Sequence, residues 1–210
     1  MKHLYLVLHF LIIPFLSSTK ATSKTDTAKT TQRKVFYFVE IEPVFPGGVS
    51  GFYQFINTNL QYPEVARLLG INGTVTVSFW IDKTGKVIDV SAQKSLGAGT
   101  EYEAAKVVSA SPHWRPGIQN GHPVKVQYKV DVNFDKKKRK IAIKELKASS
   151  YGFVFNIKGK LYTLDETETQ LGEEFKQAKI ESTELFYNPD NDQKFVMPEK
   201  KEVYLINIKS

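Results

Sequence analysis

His113 lies in the loop Pro112-His113-Trp114-Arg115-Pro116-Gly117 and His122 follows it, and they are the histidines that lie outside residues 1–21. A protein zinc site needs three or four ligands, and no carboxylate stands at helical spacing beside either imidazole. The pair reads as loop residues, and no metal is expected. Gly97-Ala98-Gly99 begins like a dinucleotide loop, but Tyr102 stands where the third glycine is needed for close helix packing. Gly48-Val49-Ser50-Gly51 is one residue short of the Gly-x-Ser-x-Gly turn that exposes a nucleophilic serine. Asn72-Gly73-Thr74 spells a glycosylation acceptor and reads as a turn into a strand. The chain has no cysteine, which removes disulfides, thiol catalysis, Cys-ligated zinc and a lipidated N-terminal cysteine. No nucleophile stands with a base, so no catalytic residue and no cofactor is assigned. The expectation is a binding protein, not an enzyme.

Charge narrows the partners. The formal net charge is +7, and much of the excess sits in Lys136, Lys137, Lys138, Arg139 and Lys140. Two readings of this run stand: a solvated connector, or a weak contact with anionic lipid or cell-wall polymer. Nucleic acid is set aside because the N-terminus reads as an export signal. Met1-Lys2-His3 is basic, residues 4–16 are apolar, and Thr19 and Ala21 occupy the small-residue places before a cleavage point. A spanning helix needs about 20 apolar residues; this run is shorter. Residues 1–21 are therefore expected to be a cleaved signal peptide and the mature protein periplasmic, the alternative being an inner-membrane anchor through residues 4–16. Residues 22–34, rich in Thr, Ser and Lys, read as a disordered linker.

The elements follow from periodicity. Residues 35–41 could form a short strand before Pro43-Val44-Phe45-Pro46-Gly47-Gly48 turns the chain. Phe52, Phe55, Ile56 and Leu60 have helical spacing, with Ser50 placed to cap, and Pro63 opens a second short helix that Gly70 closes. Val75, Val77, Phe79 and Ile81 alternate with polar partners, Asp82-Lys83-Thr84-Gly85 turns, and residues 87–92 return. Thr100 and Glu103 have capping-box spacing for a helix ending before Pro112. The cleanest pattern runs over residues 124–134, where Val124, Val126, Tyr128, Val130, Val132 and Phe134 alternate strictly with polar residues. Successive strand side chains point to opposite faces, so helices must cover one face of this sheet. Slipping the register by one would bury Lys125, Lys129 and Asp131.

Together these residues resemble the TonB C-terminal domain family. The resemblance is carried in order by Phe45-Pro46-Gly47-Gly48, Tyr62-Pro63 with Ala66, Ile71-Asn72-Gly73-Thr74-Val75, Asp82-Lys83-Thr84-Gly85-Lys86-Val87, Ala104-Ala105, Trp114-Arg115-Pro116-Gly117 and Asn120-Gly121-His122-Pro123-Val124, then the strand to Phe134. It implies an α+β fold over residues 35–134: a small antiparallel sheet with helices packed on one face. It also implies recognition of an extended peptide, the TonB box of an outer-membrane TonB-dependent receptor or a segment of another envelope protein, by β-strand addition, in which backbone groups give affinity and alternate side chains give selectivity. The corresponding partner-binding residues here are Val124, Lys125, Val126, Gln127, Tyr128, Lys129, Val130 and Asp131, with Lys125, Gln127 and Lys129 tuning selectivity. The alternative is a structural envelope module that self-associates, as a homodimer, or that docks its own tail.

The chain departs from a full TonB transducer. Its linker of thirteen residues reaches at most about 45 Å, and no proline falls between Pro14 and Pro43. Transmission of force across the periplasm is therefore not expected. Residues 135–149 read as a basic connector. Residues 150–210 read as a smaller α+β segment with strands over 151–157, 184–187 and 203–208 and a helix over 165–179. Ile157-Lys158-Gly159-Lys160, Ile180-Glu181-Ser182 and residues 203–209 give that segment a weak resemblance to the plug of TonB-dependent receptors, without the glycines expected before the last strand.

Overall fold

The computed structural model describes residues 4–5, 39–93, 96–135 and 140–209. The rest of the expected signal peptide, the linker at 22–34 and Lys136, Lys137, Lys138 and Arg139 lie outside the described residues, while Lys140 is exposed. No helix among the described residues is long and apolar enough to cross a membrane.

The elements run β1 (Leu4–Tyr5), α1 (Gly48–Asn59), α2 (Glu64–Leu68), β2 (Gly73–Ile81), β3 (Val87–Ala92), α3 (Thr100–Ser109), β4 (Gly117–Gln119), β5 (His122–Val124) and β6 (Val126–Phe134). They continue as α4 (Ile143–Ala148), β7 (Gly152–Ile157), β8 (Lys160–Thr163), α5 (Leu164–Leu171), a 3-10 turn (Gly172–Gln177), β9 (Ile180–Leu185), a second 3-10 turn (Gln193–Phe195) and β10 (Val203–Ile208). The first sheet has the order β1-β6-β2-β3 and is antiparallel throughout. The fold is α+β, as expected.

Alternation decides the register. β2 and β6 pair along their whole length, from Gly73 opposite Phe134 to Ile81 opposite Val126. Val75, Val77, Phe79, Val130, Val132 and Phe134 are fully buried on the face that α1 and α3 cover through Phe52, Ile56, Ala104 and Val108. Thr76, Ser78, Trp80, Gln127, Lys129 and Asp131 fall on the other face, half-buried. Two threonine hydroxyls link the strands there: Thr76 Oγ1 donates to Asp131 and Thr74 Oγ1 to Asn133, both at 2.8 Å.

Helix starts differ from the sequence reading. Ser50 lies inside α1, whose N-cap is Gly47 in the left-handed conformation. At α3 the N-cap is Gly99, so the Thr100–Glu103 capping box does not form. Thr100 Oγ1 instead donates to the Gly97 carbonyl at 2.8 Å, and the Glu101 carboxylate accepts the N–H groups of Leu96 and Gly97. In both cases glycine supplies a positive φ that lets the preceding loop turn directly into the helix. Of residues 35–41, the first four lie outside the described residues, and Ile41 makes only an isolated bridge to Ile118.

The C-terminal part is a second sheet, β8-β7-β10-β9, in which β7 and β10 run parallel and the other pairs antiparallel. The segment expected as a connector contains α4, whose Ile143 and Leu146 are buried together with Ile141. The helix expected over 165–179 stops at Leu171 because Gly172 takes φ 54, ψ −128, outside helical space. The following 3-10 turn buries Phe175 edge-on against Phe155 at 5.0 Å. The strand expected at 184–187 is β9, a few residues earlier.

The second sheet shares an apolar cluster with α2 of the first part, separate from the core between the first sheet and its helices. Val65, Leu68, Leu69 and Ile71, on and just after α2, pack in one cluster with Leu146, Phe153, Phe155, Phe175, Ile206 and Ile208. Arg67 pairs with Glu145 at 3.2 Å across the join. Gly97 approaches so closely that a Cβ there would lie 2.1 Å from Thr183 Oγ1.

Candidate functional site

The motif residues build the support of β6. Trp114, 5% exposed, is ringed by Phe45, Phe52, Phe79 and Tyr128 at centroid distances of 4.8 to 6.0 Å. Val44 and Arg115 exchange backbone bonds of 2.9 and 2.8 Å, which joins the Phe-Pro-Gly-Gly segment to the Trp-Arg-Pro-Gly loop. The turn after β2 closes onto the same ring: the Trp114 N–H donates to the Gly85 carbonyl at 2.7 Å, and a Cβ on Gly85 would sit 1.8 Å from the Trp114 carbonyl oxygen. Tyr128 donates to the Pro43 carbonyl at 3.3 Å, and burial, then the nearby Glu42, pushes its phenol well above the ordinary range. Asp82 holds the turn by accepting from the Thr84 hydroxyl at 2.7 Å and from the backbone N–H groups of Thr84 and Lys86. The Thr84 hydroxyl bond first, with the backbone bonds, holds the Asp82 carboxyl below its ordinary value.

On this base β6 lies between β2 and the two-residue β1. One rim is paired along its length with β2; among the described residues, the other meets only the two residues of β1, with Leu4 opposite Val130 and Tyr5 opposite Lys129. A strand directs its N–H and C=O groups alternately to its two sides, so the outer rim carries a row of backbone donors and acceptors in register with the inner one. Nothing in the sequence pattern pointed to the β1 pairing, since a two-residue strand has no periodicity.

The structure divides the eight expected partner residues. Val126, Gln127, Tyr128, Lys129, Val130 and Asp131 lie together on β6. Val124 belongs to β5, opposite Gly117, and Lys125 sits at the break between β5 and β6, so neither lies on the β6 rim. Lys125 is nonetheless placed beside it, its ammonium 4.6 Å from the Trp80 ring and 2.7 Å from Asp89. Val126, Tyr128 and Val130 face the core; Gln127 and Lys129 face away, opposite Trp80 and Ser78. The Gln127 Oε1 atom is buried and has no hydrogen-bond partner among the described residues. His113 and His122 are both exposed, and no group of three His, Asp or Glu among the described residues could hold a metal ion.

Residues 58–135, from the end of α1 through β6, match the family model described as Gram-negative bacterial TonB protein C-terminal. Protein TonB of Vibrio cholerae serotype O1 is 32% identical over 76 residues, 35% of this chain and 30% of the relative, so the chain spans under a third of that protein's length. Among solved structures, the NMR solution structure of Helicobacter pylori TonB-CTD (residues 179–285) is 22% identical over 42% of this chain and 82% of that one, with a TM-score of 0.31. Residues 58–135, which hold the Gly85 turn, the Trp114 loop and the closing strand β6, are thus similar to the TonB C-terminal family.

Proposed function

We propose that the chain is a cell-envelope protein of TonB type that binds an extended peptide of an outer-membrane receptor, or of another envelope protein, by adding it as a strand to β6, and so takes part in TonB-dependent transport. The observation that supports this reading is the position of β6: one rim is fully occupied by β2, and among the described residues the other pairs with β1 at Lys129 and Val130 alone. Backbone pairing along residues 126–131 supplies affinity, and Gln127, Lys129 and Asp131 select among guests. Export by a cleaved N-terminal signal and a weak contact of the run at 136–140 with an anionic surface complete the proposal. Titration of isotope-labelled protein with TonB-box peptides tests it: chemical-shift changes concentrated at residues 126–131 are expected, and no change at millimolar peptide overturns it.

Self-association is a second reading, favoured by the fact that β3 also borders the same sheet. Size-exclusion chromatography over a concentration series decides it, since edge-to-edge pairing of copies gives a concentration-dependent dimer. Residues 140–209 do not compete for β6, because they pack on the α2 side of the domain.

A further inference from the structure

Strand addition to β6 leaves the second sheet without a task, and that sheet carries two clefts. Its four strands meet at one end: Ile157 closes β7, Lys160 opens β8, Ile180 opens β9 and Ile208 closes β10, with Ile157 and Ile180 both opposite Ile208. The clefts open at this common end. One, of about 720 Å³, has an aliphatic lining of Leu69, Ile71, Leu96, Ile141 and Ile180. The other, of about 600 Å³, has Ile157, Tyr162, Leu171 and Ile208. Ala178 lines both, and the Lys209 N–H donates to the Lys179 carbonyl at 2.8 Å, so the clefts are neighbours. Their size is that of small-ligand sites, about 300–1,000 Å³.

The charge around them is one-sided. Lys140, Lys176 and Lys179 line the first cleft and Lys158, Lys160 and Lys209 the second; all but Lys176 are exposed. Lys176 pairs with Glu173 and, with Lys140 behind it, holds that carboxyl below its ordinary range. Glu181 lines the first cleft and Glu174 the second. Lys158, Lys160, Lys179 and Lys209 form no ion pair among the described residues. Six cations against three carboxylates leave this end positive, over aliphatic floors. A soluble polyanion would meet the ammoniums and leave those floors in water. A lipid with an anionic headgroup meets both, and clusters of about 4–8 basic side chains bind such headgroups.

We propose that this end of the second sheet docks on an anionic phospholipid bilayer, with lipid phosphates against the six lysines and acyl-chain carbon in the two clefts. The site is separate from β6 and from residues 136–139, and it stands or falls without the peptide-binding reading. Flotation of the full chain with vesicles tests it. Vesicles of phosphatidylglycerol and phosphatidylcholine should bind at least about tenfold more tightly than phosphatidylcholine alone, less so as salt rises. A lysine near an anionic bilayer is worth about fivefold, so Lys158→Gln with Lys209→Gln should weaken binding about tenfold or more. Lys83→Gln with Lys86→Gln removes the same charge from the β2–β3 turn and should change binding about twofold at most. Equal losses from the two pairs reduce the effect to net charge and overturn the proposal. So does a loss produced by Lys137→Gln with Lys138→Gln and not by the first pair. Polyglutamate at equal charge should not displace the vesicles; displacement makes this a site for acidic polymers and overturns the lipid assignment. Tyr162→Trp adds an indole to the second cleft, and brominated acyl chains should quench it beyond any effect on Trp80 and Trp114. Vesicle binding without that quenching leaves the clefts unused and overturns the proposal.

Discussion

Trp114 supports the candidate site from the core side, through the Tyr128 ring. Its ring fills the centre of the aromatic cluster under Tyr128, and its backbone clamps Gly85. Trp114→Ala leaves a cavity that those surrounding rings cannot close, so a loss of about 3–5 kcal/mol is expected in urea unfolding. Gln127→Ala and Lys129→Ala remove side chains from the opposite face and should change stability little while altering peptide selectivity. Asp82 gives a pH-dependent check. Its carboxyl is held below its ordinary 3.8 by bonds that exist only in the fold, so the stability it contributes is present above that value and lost as pH falls through the depressed one. Carboxyl titration by NMR should place its midpoint below 3.8, and Asp82→Asn should remove that acid dependence from the hairpin. These residues were legible because each motif carries its own backbone demand, such as a positive φ at Gly85 or a Trp that needs a ring-lined hole. Val124 and Lys125 were misassigned to one strand with β6 because alternation reports which face a side chain takes, and it continues unchanged while the backbone exchanges β4 for β2 as its partner.

At the scale of elements, long alternating strands were read correctly and short, mixed ones were not. β2 and β6 each present one buried face, and β10 was found from its apolar run. The break at Gly172 escaped because the apolar positions Leu171 and Phe175 keep helical spacing across a residue whose ψ is not helical. α4 escaped because the surrounding lysines mask its apolar positions Ile143 and Leu146. That helix is where an element-scale prediction bites. Leu146 is 1% exposed at the centre of the shared core, and Leu146→Ala should cost about 2–5 kcal/mol. A solvated connector would show no such loss. Amide exchange after this substitution should quicken in α2 as well as in β7 and β10, since all three pack on the same cluster.

The whole molecule is therefore a first sheet with its covering helices joined through α2 to a second sheet, and this changes what the tail can be. A loosely tethered appendage would unfold on its own and could be removed without harm. Here Val65, Leu68 and Leu69, each 3% exposed, owe that burial to packing in a cluster dominated by residues beyond 140. Taking residues 140–209 away would bare a contiguous apolar face, and exposed patches of that kind drive association. The full chain is accordingly expected to unfold in one transition, with circular dichroism and the fluorescence of Trp80 and Trp114 giving coincident midpoints, as cooperative single units do. The chain ending at residue 139 is expected to have a lower midpoint and to elute as a concentration-dependent oligomer. If the two probes instead give separate midpoints, or if the shortened chain stays monomeric with unchanged stability, α2 does not join the sheets energetically. In that event the β6 rim would belong to an independent domain, and the second sheet would have no part in holding it.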